Sequence, residues 1–85
     1  MFNRIKLLIN EVFAGKRLET EIEFQREDNV TEGFTVRIDA EDDQIVIDYG
    51  NSLQGYCWTE AYNPEEHLSM IKIALEDQAY YNSKL

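Results

Sequence analysis

Few side chains in this chain of 85 residues have the types or spacing that chemistry needs. His67 is the single histidine and Cys57 the single cysteine. One histidine rules out a paired-histidine metal motif, and one cysteine rules out a disulfide framework, a CxxC redox pair and a thiolate zinc cage. Cys57 beside Trp58 reads as a small buried apolar residue; its one conceivable activating partner is His67, a contact that sequence does not establish. His67, in the first turn of a helix, reads as solvated. Carboxylates are abundant, but on exposed strands they lack the burial that raises a pKa for acid catalysis. Asp39-x-Glu41-Asp42-Asp43 invites a calcium loop. An EF-hand counted from Asp39 needs Gly and Glu at its sixth and twelfth positions, where this chain has Gln44 and Gly50. No glycine-rich phosphate loop is present. The expectation is a binding protein, not an enzyme, with no cofactor and no metal.

The carboxylates dominate in another way. Seventeen Asp and Glu stand against eight Lys and Arg, for a net charge of −9. Residues 18–50 hold eleven of those acids and two bases, whereas residues 1–17 are net basic through Arg4, Lys6, Lys16 and Arg17. An alternating run places Glu19, Glu21 and Glu23 on one face of a strand, about 6.6–6.8 Å apart. Asp39 and Asp48 project from the same outer face of neighbouring strands, and Glu41, Asp42 and Asp43 carry the charge around a turn. A row of anions at that spacing resembles a phosphate backbone. It complements a cleft that neutralises DNA with Lys and Arg. The plain alternative is a solvated face that blocks edge-to-edge aggregation. Tyr49, Glu60 and Tyr62 are expected to add contact area at one end of the acidic face, since Tyr is favoured at binding hot spots. Tyr80 and Tyr81 offer a second aromatic patch.

The elements that position these groups follow from periodicity. Phe2, Ile5, Leu8, Ile9, Val12 and Phe13 form a helical stripe over residues 2–14, with Gly15 as a left-handed cap. Leu18, Thr20, Ile22 and Phe24 alternate with acids over a strand at 18–26. Residues 27–33 carry loop chemistry. Phe34, Val36 and Ile38, then Ile45, Ile47 and Tyr49, alternate on two strands joined by the acidic turn, a hairpin signature. Residues 53–62 read as a loop, with a short fourth strand or a short helix at Tyr56-Cys57-Trp58-Thr59 as the alternatives. Asn63, Pro64 and Glu66 make an N-cap, a first-turn proline and a capping-box acid for a helix from Pro64 to about Tyr81. The expected fold is α+β: one domain over residues 1–85 in α-β-β-β-α order, a three-stranded antiparallel meander with both helices on one face. No apolar run approaches the roughly 20 residues of a membrane span. The start is too short in apolar residues for a signal peptide, so a cytoplasmic protein is expected.

The strand Phe34-Thr35-Val36-Arg37-Ile38-Asp39, the acidic turn, the strand ending Asp48-Tyr49-Gly50, the Gly55-Tyr56-Cys57-Trp58 stretch and the acid-led helix cover about half the chain. Together with size and charge, they resemble the small acidic phage-encoded anti-CRISPR proteins that inhibit type II (Cas9) effectors. That resemblance implies a DNA mimic. It would occupy the site where an effector grips its protospacer-adjacent duplex with arginines and lysines. The expected partner is then a basic DNA-binding protein such as a Cas effector nuclease, with no direct contact to nucleic acid or membrane. Two other readings share the sequence. One is a structural or adaptor module, as a homodimer, whose acidic face is only solvated. The other is an immunity- or antitoxin-type inhibitor of a basic nuclease.

Overall fold

The computed structural model describes residues 2–25 and 30–82, with side chains as far as Asp77. Helix α1 spans Phe2–Phe13, strand β1 Glu19–Gln25, β2 Thr31–Ile38, β3 Ile45–Asn51, β4 Gly55–Ala61 and helix α2 Pro64–Asn82. The sheet is an antiparallel meander of four strands in chain order, with β1 and β4 as its edges. The chain is thus a small α+β domain, as its periodicity predicts, but with one strand more. The correction lies at residues 53–62. The stretch expected as a loop is β4, paired with β3 from Val46↔Ala61 to Asn51↔Gly55.

Two physical features hid β4. It is an edge strand with only Cys57 and Trp58 drawn partly inward. Its pairing also passes from Tyr49↔Trp58 to Gly50↔Tyr56, which leaves Cys57 as the extra residue of a bulge and breaks strict alternation. The turn before it is built by Asn51, whose Oδ1 accepts from the Leu53 and Gln54 amides at 3.0 and 2.8 Å. Gly55 completes that turn at φ 71°. The expected loop at 27–33 is described only from Val30 onward, and there β2 begins three residues before Phe34.

The helix ends behave as their residues dictate. Lys16 N–H donates to the Glu11 carbonyl at 2.9 Å and Gly15 N–H to that of Val12 at 3.1 Å, with Gly15 at φ 74°. This is the paired closure that a left-handed glycine allows. Asn63 Oδ1 caps α2 by accepting from Glu65 N–H at 3.0 Å.

Register sorts the side chains. Thr20, Ile22, Phe24, Phe34, Val36, Ile47, Tyr49, Trp58 and Glu60 share the inner face. Both helices cover that face: Ile5, Ile9 and Val12 from α1 and Ile71 from α2 join the sheet residues in one buried cluster. Aromatic rings run across it as a chain from Phe24 through Phe34, Tyr49 and Trp58 to His67, Tyr62 and Phe13, with neighbouring centroids 5.2–6.4 Å apart. The outer face carries Glu19, Glu21, Glu23, Gly33, Thr35, Arg37, Asp48 and Thr59, on the side away from the buried cluster that the helices join. Among the described residues, no helix is long and apolar enough to cross a membrane.

Candidate functional site: the outer sheet face

The outer face is organised by one cross-strand pair. Arg37 Nε donates to Asp48 Oδ2 at 2.6 Å, and Nη2 lies 3.4 Å from Oδ1. Thr59 donates its hydroxyl to the same carboxylate at 2.5 Å, and Tyr56 Oη pairs with Thr59 Oγ1. Burial pushes the Asp48 carboxyl up. The hydrogen bonds from Arg37 and Thr59 and the Arg37 charge outweigh it and hold the group below the usual carboxylate range. The Asp48 hydrogen bond and charge raise the Arg37 pKa in turn, against the cost of desolvation. Asp48 is therefore an anion neutralised within the sheet, not one offered to solvent.

The three glutamates of β1 are different. Glu19, Glu21 and Glu23 are exposed, and among the described residues none has an ion pair. They stand on an edge strand, so among the described residues no strand pairs on their far side. Glu19 lies at the end where β2 turns into β3, since Ile38 N–H donates to the Leu18 carbonyl. The row therefore runs on into the acidic turn. There Asp39 Oδ1 accepts from Glu41 N–H at 3.0 Å and Asp42 Oδ1 from Gln44 N–H at 3.1 Å. These bonds shape the turn without cancelling charge. Glu41, Asp42 and Asp43 are exposed, and Asp43 takes φ 57°. The basic residues of α1 stand on the layer that covers the inner face. Among the described residues, Arg17, in the segment that follows α1, is held in an ion pair to Glu11 at 2.8 Å.

Of the candidate contact residues, Glu19, Glu21, Glu23, Asp39, Glu41, Asp42 and Asp43 form this continuous strip. Asp48 shares the face but is tied to Arg37. The remaining three lie elsewhere. Tyr49 is on the inner face, stacked on Trp58 with centroids 5.4 Å apart and donating its hydroxyl to Glu32 at 2.7 Å. Tyr62 does not offer the contact area expected of it. Its ring packs between Phe13 and His67, its hydroxyl is buried without a hydrogen-bond partner among the described residues, and burial raises its pKa. Glu60 also points to the inner side. The Tyr80–Tyr81 patch lies outside the described side chains.

Glu60 reaches His67, which is a second correction: the histidine expected in solvent is 1% exposed. Its ring lies between Trp58 and Tyr62. Nδ1 accepts the Asn63 N–H at 2.8 Å, and Nε2 faces Glu60 Oε1 at 2.7 Å. The Asn63 N–H makes Nδ1 the acceptor, which places the ring N–H at Nε2, donating a hydrogen bond to Glu60. His67 thus takes the N-cap amide that a capping box would give to Glu66. Glu60, Glu66 and His67 bring a ligand atom each within 4.8 Å of one another. The set has a zinc-like composition but the wrong second shell. A histidine that ligates through Nε2 normally donates its Nδ1–H outward, and here a backbone N–H occupies that position. The pair instead pins α2 to β4.

Comparison with protein-family models, with curated proteins and with solved structures gives no match.

Proposed function

We propose that this protein is an acidic DNA-mimic inhibitor that fills the nucleic-acid cleft of a basic protein. In its most specific form, the reading is a phage or mobile-element protein acting on a CRISPR effector nuclease. One observation carries it. Glu19, Glu21 and Glu23 project together from a free edge strand, unpaired among the described residues, and continue into the exposed acids of the β2–β3 turn. A decoy needs its anions displayed and unneutralised. Among the described residues, ion pairing on this face is confined to Asp48. A merely soluble domain needs a net charge of only about 2–8, with signs interspersed. Here the signs are segregated, with four carboxylates and one guanidinium among the described residues of the outer sheet face.

Binding of this kind is steered by long-range attraction, fast at low salt and weakened as salt rises. The test is competition. A duplex bound to a purified effector nuclease should be displaced by this protein. The triple variant Glu19→Gln, Glu21→Gln, Glu23→Gln should displace it far less, with the difference shrinking at high salt. Equal displacement by both proteins would remove the β1 row from the mechanism.

A further inference from the structure

On the outer face, the acidic row borders an open groove of about 510 Å³. Its floor is backbone, where Gly33 of β2 pairs with Gly50 of β3. Glu21 and Glu23 stand on one side, and Tyr56, 68% exposed, on the other. Thr35 and Asp48 also line it.

The two glycines have different reasons to be glycine. A Cβ on Gly50 would fall 2.7 Å from the Gly55 carbonyl oxygen, so the hairpin itself forbids a side chain there. Gly33 has no such reason. A Cβ there would meet nothing within 4 Å, and its φ is not in the left-handed region. β2 also pairs in unbroken register on both sides. A glycine inside a strand weakens it, and it marks a bulge, a tight bend or the close approach of something else. No register shift falls at Gly33, so a bulge does not account for it, and the open space above it admits a group from outside.

We propose that this groove receives an arginine side chain of the basic partner, its guanidinium lying on the Gly33–Gly50 floor between the Glu21–Glu23 wall and the Tyr56 ring. The inference rests on the acidic-decoy reading and adds to it the residue type that is read. A guanidinium is flat and forks its donors toward carboxylates, and it stacks on aromatic faces. A lysine ammonium is compact, strongly hydrated and has no use for a bare floor. Tyr56 favours a cation over its face.

The probes are capped octa-arginine and octa-lysine peptides at 0.15 M salt, with affinities from calorimetry and amide shifts from NMR. Octa-arginine should bind about two- to fivefold more tightly than octa-lysine, the span of one exposed cation–aromatic contact, and should shift the Gly33 and Gly50 amides. Gly33→Leu fills the floor where space is open, and Tyr56→Ala removes the wall. Each should bring the arginine-to-lysine ratio to about one while octa-lysine binding holds. Circular dichroism and a thermal melt check that both variants fold, and Tyr56→Ala stands as the test should Gly33→Leu not fold. Equal affinities in the unaltered protein, or a preference that survives both variants, overturns the groove and leaves the acidic face intact. Failure of both peptides to bind overturns the acidic-face reading itself, and the groove with it.

Discussion

Glu21→Gln probes the acidic row where it is densest. Glu21 has Glu19 and Glu23 two residues away on the same face, and Thr35, a neutral residue, opposite it on β2. Arg37 is spoken for by Asp48, so that pair is close to neutral from the position of Glu21. At a spacing of about 6.7 Å, each neighbour repels Glu21 by roughly 0.6 kcal/mol in unscreened water. Screening reduces this to about 0.3 kcal/mol at 0.15 M salt and about 0.5 kcal/mol at 0.01 M. Removing one charge relieves two such terms. Glu21→Gln should therefore stabilise the fold by about 0.5 kcal/mol at 0.15 M and about 1 kcal/mol at 0.01 M. For a domain of this size, that is a rise in Tm of roughly 2–4 °C and 4–8 °C respectively. The assay is thermal unfolding of both proteins at the two salt concentrations. The sign and the salt dependence decide it. Destabilisation, or the same shift at both salts, would mean that the glutamates are not displayed as an unpaired row, and the decoy reading would lose its support. The same substitution should slow association with a basic partner, so stability and binding move in opposite directions.

Three further outcomes follow from the geometry. Tyr62→Phe removes a buried hydroxyl that has no partner among the described residues and should stabilise by about 1 kcal/mol in urea unfolding. Burial raises the Tyr62 pKa above its unfolded value, so the folded protein should lose stability as pH climbs through the folded value, and the Phe variant should lose less in alkaline melts. Asp48 has the opposite sign. Its folded pKa is depressed, so its contribution is whole above the unfolded value of about 3.9 and lost as pH falls through the folded one; Asp48→Asn should flatten the acid limb of a stability–pH curve. Gly50→Ala should cost about 1–3 kcal/mol through its clash with the Gly55 carbonyl, whereas Gly33→Ala should be neutral or stabilise by up to about 1 kcal/mol, as compared in paired denaturant titrations.

By itself the sequence determined the local elements and the sides their residues take. A period of two put Glu19, Glu21 and Glu23 opposite Ile22 and Phe24, and it also turned Tyr49 inward with Ile45 and Ile47. Helical spacing, Gly15 and Asn63-Pro64 marked both helices and their caps. These properties are legible because side-chain direction repeats along a single segment. The Asn51 to Gly55 turn was a readable signal for β4, but the bulge at Cys57 broke the alternation that follows it. Only the tertiary structure decided what lies across strands. Register brought Arg37 beside Asp48 and left the β1 glutamates alone. The return of α2 over β4 carried His67 into the interior, to Glu60 and the Asn63 amide. Strand pairing and helix docking join residues far apart in the chain, and their outcome depends on turns and bulges that shift whole faces by single residues. The charges were therefore legible before the fold, and their neutralisation only after it.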